Sequence, residues 1–138
     1  LDLSLPTHLL KATLNGVMAQ RLVRTLCIAC RKEVAPDPEA WAELTRPFTL
    51  PMAKVIYQPG GCLECRNTGY AGRQGVYEIM PLSSALLSAI SADTDIQQIR
   101  QAAVKQGMKP LRLAGAEKVA EGITSVEEVM RVTPELGR

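Results

Sequence analysis

Apolar positions along this chain repeat with two different periods, and the changes of period mark its elements. From Pro6 to Leu26 the spacings are three and four. Leu10, Leu14, Val17, Met18 and Leu22 make one stripe, with Gln20, Arg21 and Arg24 largely off it. The pattern predicts one amphipathic helix, with Pro6 in its first turn. Gly16 inside that helix costs roughly 1 kcal/mol relative to alanine, which argues for a close packing neighbour. Pro36, Pro38, Pro47 and Pro51 then punctuate the chain. Glu39 to Leu44, between them, predicts a short helix with Trp41 turned inward. Lys54 to Tyr57 is a short β-rich run. Gln74 to Met80 alternates and reads as its partner strand.

From Pro81 onward the period is helical. Ser83 to Ile90 makes a first short helix. Thr94, with Gln97 three residues on, signals the start of a second, whose apolar face is Ile96, Ile99 and Ala103 and which Gly107 stops. Pro110 to Glu121 makes a third, with Leu111, Ala114 and Val119 facing in and Gly122 as its stop. Thr124 and Glu127 repeat the capping signal before a last stripe of Val126, Val129 and Met130, which Pro134 ends. The expected fold is mainly α with a small β-hairpin: a stapled knuckle flanked by an N-terminal helix and a C-terminal helical bundle.

The cysteines explain the word stapled. All four fall in two clips of the same form, Cys27-Ile28-Ala29-Cys30 and Cys62-Leu63-Glu64-Cys65, with 31 residues between them. Two residues between cysteines let a tight turn aim both sulfurs at one point, and two such clips complete a tetrahedral shell for Zn²⁺. Backbone N–H groups freed by the turn can donate to the negative sulfurs. Gly60-Gly61 and Asn67-Thr68-Gly69 supply the turn chemistry around the second clip. The interval exceeds that of many zinc ribbons, so something folds inside it. Disulfides are the first alternative, but no secretory signal is visible and the chain is not cysteine-dense. A thioredoxin-like redox pair would leave the second clip unexplained. Unpaired buried thiols are the third possibility.

Composition bounds the rest. The 138 residues are 46% hydrophobic and 22% charged, as in a globular domain, but only 4% aromatic, so a small core gains from a metal staple. No apolar run reaches the roughly 18 residues of a membrane span. The formal charge is +2 with neutral thiols; four thiolates and one Zn²⁺ add −2 and bring it near zero. Net charge therefore does not favour nucleic acid. Leu1 is not a start methionine, so an excised piece of a longer chain is expected.

Several chemistries have no residues to perform them. No glycine is followed by lysine, so there is no Walker A loop, and there is no Gly-x-Gly-x-x-Gly. The single histidine, His8, sits on the first predicted helix and supports no catalytic triad; it is assigned no chemistry. Carboxylates such as Asp93, Asp95, Glu127 and Glu128 lie at helix starts, where they complement the helix dipole. The chain by itself reads as a zinc-stapled helical module without an active site.

Several strings in order resemble the C-terminal part of the ATPases that power type II secretion and type IV pilus assembly. They are the run Ala19 to Cys27, the run Gly61 to Tyr70, Gly72 to Glu78, Gly107 to Arg112, and Gly122 to Val129. The resemblance implies a hexameric, RecA-like motor at the cytoplasmic face of the inner membrane, with ATP and Mg²⁺ bound upstream of this chain. It implies that residues 1–26 are a helix from the end of the nucleotide-binding core, 27–80 the tetracysteine zinc subdomain, and 81–138 a helical C-terminal subdomain. Cys27, Cys30, Cys62 and Cys65 would hold structural zinc. Ile28 stands where the family's first clip often has proline. The implied partners are neighbouring subunits and inner-membrane platform components. The strings do not separate the two systems; the weak leaning is to type II secretion.

Two arginines are candidate interface residues. Arg21 and Arg24 lie three apart before the first clip. They either form a solvated face and counter the thiolate charge, or one reaches across a subunit boundary to a carboxylate or nucleotide. A free-standing zinc-ribbon adaptor that binds nucleic acid is the competing function, since Arg21, Arg24, Arg31, Lys32, Arg66 and Arg73 crowd near the clips. Charge balance and the lack of aromatic platforms weigh against it.

Overall fold

The computed structural model describes residues 5–91 and 93–134. Among them are six helices and two antiparallel sheets of two strands each. Helix α1 (Thr7–Thr13) leads into strand β1 (Gly16–Leu26). Strand β2 (Lys32–Val34), helix α2 (Pro38–Thr45) and strand β3 (Ile56–Gln58) follow, then the long strand β4 (Tyr70–Pro81). Helices α3 (Ser84–Ala89), α4 (Ile96–Lys105), α5 (Leu111–Ala120) and α6 (Val126–Val132) complete the order.

The spine is the ribbon of β1 and β4, in register from Gly16 opposite Pro81 to Leu26 opposite Tyr70, with a bulge between Arg24 and Leu26. This corrects the single helix expected over 6–26: only its first third is helical. Leu14-Asn15-Gly16 breaks the helix, and Val17, Val23 and Thr25 are β-branched residues that suit a pleated surface. A stripe at spacings of three and four did not exclude strand alternation, and the long partner strand decides the matter. The close neighbour anticipated for Gly16 exists, but it is strand backbone: a Cβ there would lie 3.3 Å from the Met80 carbonyl oxygen.

The expected hairpin is corrected as well. Both of its strands form, but neither takes the other as partner. The run ending at Gln58 pairs with Lys32–Val34, and the run through Met80 pairs with β1. The folded insert anticipated between the clips is there, as β2, α2 and β3. The fold is thus less a helical knuckle than a long ribbon that stops at Leu26 and Tyr70, with three further residue pairs, of β2 and β3, beyond the gap and helices packed along it.

One face of the ribbon carries the main core. Val23 and Val76 meet Trp41 and Leu44 of α2, Ile56 of β3, Leu111, Ala116 and Val119 of α5, and Val129 of α6. The inward Trp41 is as expected, and its indole N–H donates to the Leu50 carbonyl at 3.0 Å. Helix α5 is buried on most of its sides, Arg112 included, and its first amide finds a partner in the Glu78 carboxylate of β4 at 2.9 Å. A second cluster, Leu86, Ala103 and Met108, joins α3 and α4 at the far end of the ribbon. Two helix caps lie one residue later than expected, at Asp95 and Ser125. In each case the preceding threonine hydroxyl is engaged elsewhere: Thr94 donates to the Ala89 carbonyl, Thr124 to that of Arg24.

Candidate metal centre

The four cysteines sit where the ribbon is interrupted. Chain leaving β1 passes through the first clip into β2, and chain leaving β3 passes through the second clip into β4. Both passages fall between Leu26 opposite Tyr70 and Lys32 opposite Gln58, so the clips face each other across one gap. There the four Sγ atoms lie within 4.8 Å of one another. Cys27 to Cys62 is 3.8 Å, Cys30 to Cys65 is 3.7 Å, and Cys62 to Cys65 is 3.7 Å. A tetrahedron of sulfurs with metal bonds of about 2.3 Å has edges of about 3.8 Å. These residues therefore fit a single tetrahedral cation, and no disulfide joins them.

Backbone geometry makes the gap narrow and its amides available. In the first clip the Cys30 and Arg31 amides donate to the Cys27 carbonyl. In the second, Asn67 N–H donates to Cys62 O at 2.8 Å, with Arg66 and Asn67 both at positive φ. Amides thereby turned toward sulfur are Gly61 to Cys30 at 3.2 Å, and Cys62 and Gly69 to Cys65 at 3.3 Å and 3.2 Å. Gly60 permits the approach: a Cβ there would lie 2.1 Å from the Cys30 carbonyl oxygen. Ile28 and Leu63, the second residues of the clips, are 83% and 92% exposed. Neither side chain therefore adds much packing to its clip.

Charge is unevenly shared among the thiols. Burial pushes Cys65 up, but the amides of Cys62 and Gly69 and the neighbouring sulfurs outweigh it and bring the thiol down to about 6. The Gly61 amide draws Cys30 down, yet burial and the sulfurs of Cys65, Cys62 and Cys27 carry it up to about 11. Sulfurs this close shed their protons together only when a cation takes up the charge. Four sulfur ligands leave no open position for water, which suits a structural role.

The candidate arginines part company on the strand. Arg21 is exposed and donates only to the carbonyl of Gln20. Arg24 is tied to the chain's own groups at the surface, with its side chain 44% exposed. Its Nε and Nη2 donate to Glu128 Oε2 at 3.1 Å and 2.9 Å, its amide donates to Glu128 Oε1, and its guanidinium lies 4.2 Å over the Tyr70 ring. Its protein partners are Glu128 and Tyr70, not a thiolate. Arg31 likewise donates to the Gly122 carbonyl and stacks on Tyr57. Two of the six cations near the clips are therefore spent on internal contacts. The residue that sequence reasoning missed is Glu128, read only as a helix-dipole carboxylate. Its side chain has no exposed surface and binds Arg24 and Arg131 together. Its place three residues after the Ser125 cap was the available signal.

Comparison with known proteins agrees in order and extent. The family model described as Type II/IV secretion system protein matches residues 1–131. The type IV pilus assembly ATPase TfpB of Acinetobacter baylyi is 47% identical over 133 residues, 96% of this chain and 23% of the relative. PilB of Thermus thermophilus, another type IV pilus assembly ATPase, is 38% identical over 91% of this chain and 14% of its own length. The type II secretion system ATPase E of Vibrio cholerae is 36% identical over 97% of this chain and 26% of its own. The chain spans about a quarter or less of each of these relatives.

Proposed function

We propose, from the premise that this chain belongs to the type II/IV secretion system protein family, that it is the zinc-stapled part of a motor ATPase that drives pilus assembly or type II secretion. The observation that carries the proposal is the four-sulfur cluster at the break of the β1–β4 ribbon, in a chain matched over nearly its whole length by such ATPases. Cys27, Cys30, Cys62 and Cys65 hold one structural Zn²⁺. It closes the gap between the two sheets and makes one rigid body of the ribbon, the insert and the helices behind them.

The role is mechanical. ATP and Mg²⁺ bind in a nucleotide-binding core upstream, and residues 1–26 are the end of that core; 27–80 form the zinc subdomain and 81–138 the C-terminal helical subdomain. The uncovered face of the ribbon, shared by β1 and β4, is where such a core would rest. Met18, Leu22, Tyr77 and Ile79 stand 46–61% exposed on one side of it, an apolar surface of the kind a neighbouring domain covers. The stapled body passes nucleotide-driven movement to neighbouring subunits of a hexamer and to platform components at the cytoplasmic face of the inner membrane. Between the two systems, one pilus ATPase at 47% identity leans to pilus assembly, while other pilus ATPases, at 34–38%, are no more similar than secretion ATPases, at 36–38%. A free nucleic-acid adaptor loses support, because Arg24 and Arg31 are turned to internal partners.

The test is Cys62→Ser in the cell's own copy of the gene. Pilus assembly or type II secretion should be lost together with the metal. A zinc-free protein that still supports both processes at the normal level would contradict the proposal.

A further inference from the structure

The turn between α5 and α6 touches the first clip on both of its sides. Before the clip, Leu26 N–H donates to the Ile123 carbonyl at 2.8 Å, and the Thr124 hydroxyl donates to the Arg24 carbonyl at 2.8 Å. After the clip, Arg31 Nη1 donates to the Gly122 carbonyl at 2.8 Å. Arg31 is itself clamped, with its guanidinium 4.0 Å from the centroid of Tyr57 in β3. Gly122 allows the approach. It sits at φ +79°, and a Cβ there would come within 3.0 Å of Arg31 Nη1 and 3.1 Å of the Tyr57 ring. The same turn runs straight into α6, whose Ser125 cap and Glu128 reach back to β4 and β1: Ser125 Oγ meets Tyr70 at 2.7 Å, and Glu128 holds Arg24.

We propose that Gly122–Ser125 is a clasp that couples metal occupancy to the seating of α6, with Arg31 as the positioning residue that transmits it. Arg31 follows the ligand Cys30 directly, and Leu26 precedes the ligand Cys27 directly. The Arg31 bond is therefore aligned only while the clip keeps its turn, whereas the Leu26 bond is held also by the pairing of Leu26 with Tyr70. A bound cation fixes that turn by holding Cys27 and Cys30 to the second clip. Loss of the cation frees the clip, and the clasp loses its Arg31 anchor, leaving the turn held from the ribbon side alone. The coupling is reciprocal, so loosening the clasp must also weaken the hold on the metal. The Cys62–Cys65 clip has no such clasp among the described residues; its amides bond within the second clip and to the first. The two halves of the cluster are thus unequal, and the first clip is the half that signals to the C-terminal helix.

The inference rests on the zinc reading above, and its test separates the two. In the full chain, zinc content is measured first, then the rate of zinc transfer to a chromogenic chelator in excess. Arg31→Ala and Gly122→Ala should still hold one zinc but release it about ten-fold faster, as removal of an outer partner of a metal ligand does elsewhere. Arg31→Lys, which keeps the charge without the planar stack, should fall between. Lys105→Ala, at an exposed position in the last turn of α4, is the control and should not change the rate. In the unmodified chain, amides of residues 123–129 should exchange faster after zinc removal than those of α3, which lies in the other core cluster. Zinc well below one equivalent overturns the metal reading and the clasp with it. One equivalent, with release from Arg31→Ala and Gly122→Ala as in the unmodified chain, or with exchange at 123–129 unmoved by zinc removal, overturns the clasp alone.

Discussion

Glu128 makes the clearest case at the scale of single residues. Its side chain has no exposed surface and accepts from Arg24 and Arg131. Burial pushes its carboxyl up, but hydrogen bonds from Arg131 and Arg24 dominate and hold it down at about 2, against an ordinary 4.5. A depressed carboxyl stabilises the fold above its unfolded value, and that contribution drains as pH falls toward the folded value. Glu128 should therefore contribute on the order of 3 kcal/mol at neutral pH. In chemical denaturation the loss should appear between about pH 4.5 and 2, and Glu128→Gln should remove that part of the pH dependence. Arg24 and Arg21 now separate as well. Arg24→Ala strips a buried carboxylate of one of two cations and should cost about 1–2 kcal/mol. Arg21→Ala, at an exposed position, should stay within about 0.5 kcal/mol. Equal effects of the two would contradict the placement of Arg24. These differences were hidden in the sequence because the pair was read three apart on a helix, on a shared face. A strand with a bulge gives each its own surroundings.

At the scale of elements, the readings that held depended on local chemistry, and those that failed depended on partners distant in the chain. Helix α2 was read from the prolines around it, and the structure adds an Asp37 cap; α4, α5 and α6 were read from caps, stops and apolar spacing, and the structure moves two caps by one residue. Strand β1 was illegible because Leu14, Val17, Met18 and Leu22 satisfy a helical period as well as a strand does. Its identity comes from β4, more than forty residues later. The crossing of α5 and α6 was equally hidden. Gly115 reads as an ordinary helix glycine, yet a Cβ on it would lie 2.4 Å from Val129 Cγ1. Gly115→Ala should therefore destabilise by about 1–2 kcal/mol, the clash outweighing the roughly 1 kcal/mol gained in helix propensity. A rise in melting temperature on this substitution would show that the crossing is looser than the structure has it.

At the scale of the whole molecule, the gathering of the four cysteines was the most legible feature, because two identical clips leave few other ways to use four sulfurs. Their setting was not legible. The spacing of the clips says nothing of a ribbon that breaks at them and resumes beyond. In a chain with one tryptophan and one phenylalanine, the proposed metal centre would tie the paired strands where their ladder stops. None of the described helices is long and apolar enough to cross a membrane. The chain also carries no Gly-Lys phosphate loop, so calorimetry with ATP should detect no micromolar binding. The central claim is that these cysteines are a zinc centre, and elemental analysis with sulfur-sensitive X-ray absorption, on protein purified without added metal, tests it most directly. The account predicts one zinc per chain, bound by four sulfurs at about 2.3 Å. Less than half an equivalent of zinc, or a Cys27–Cys30 disulfide in its place, would contradict it.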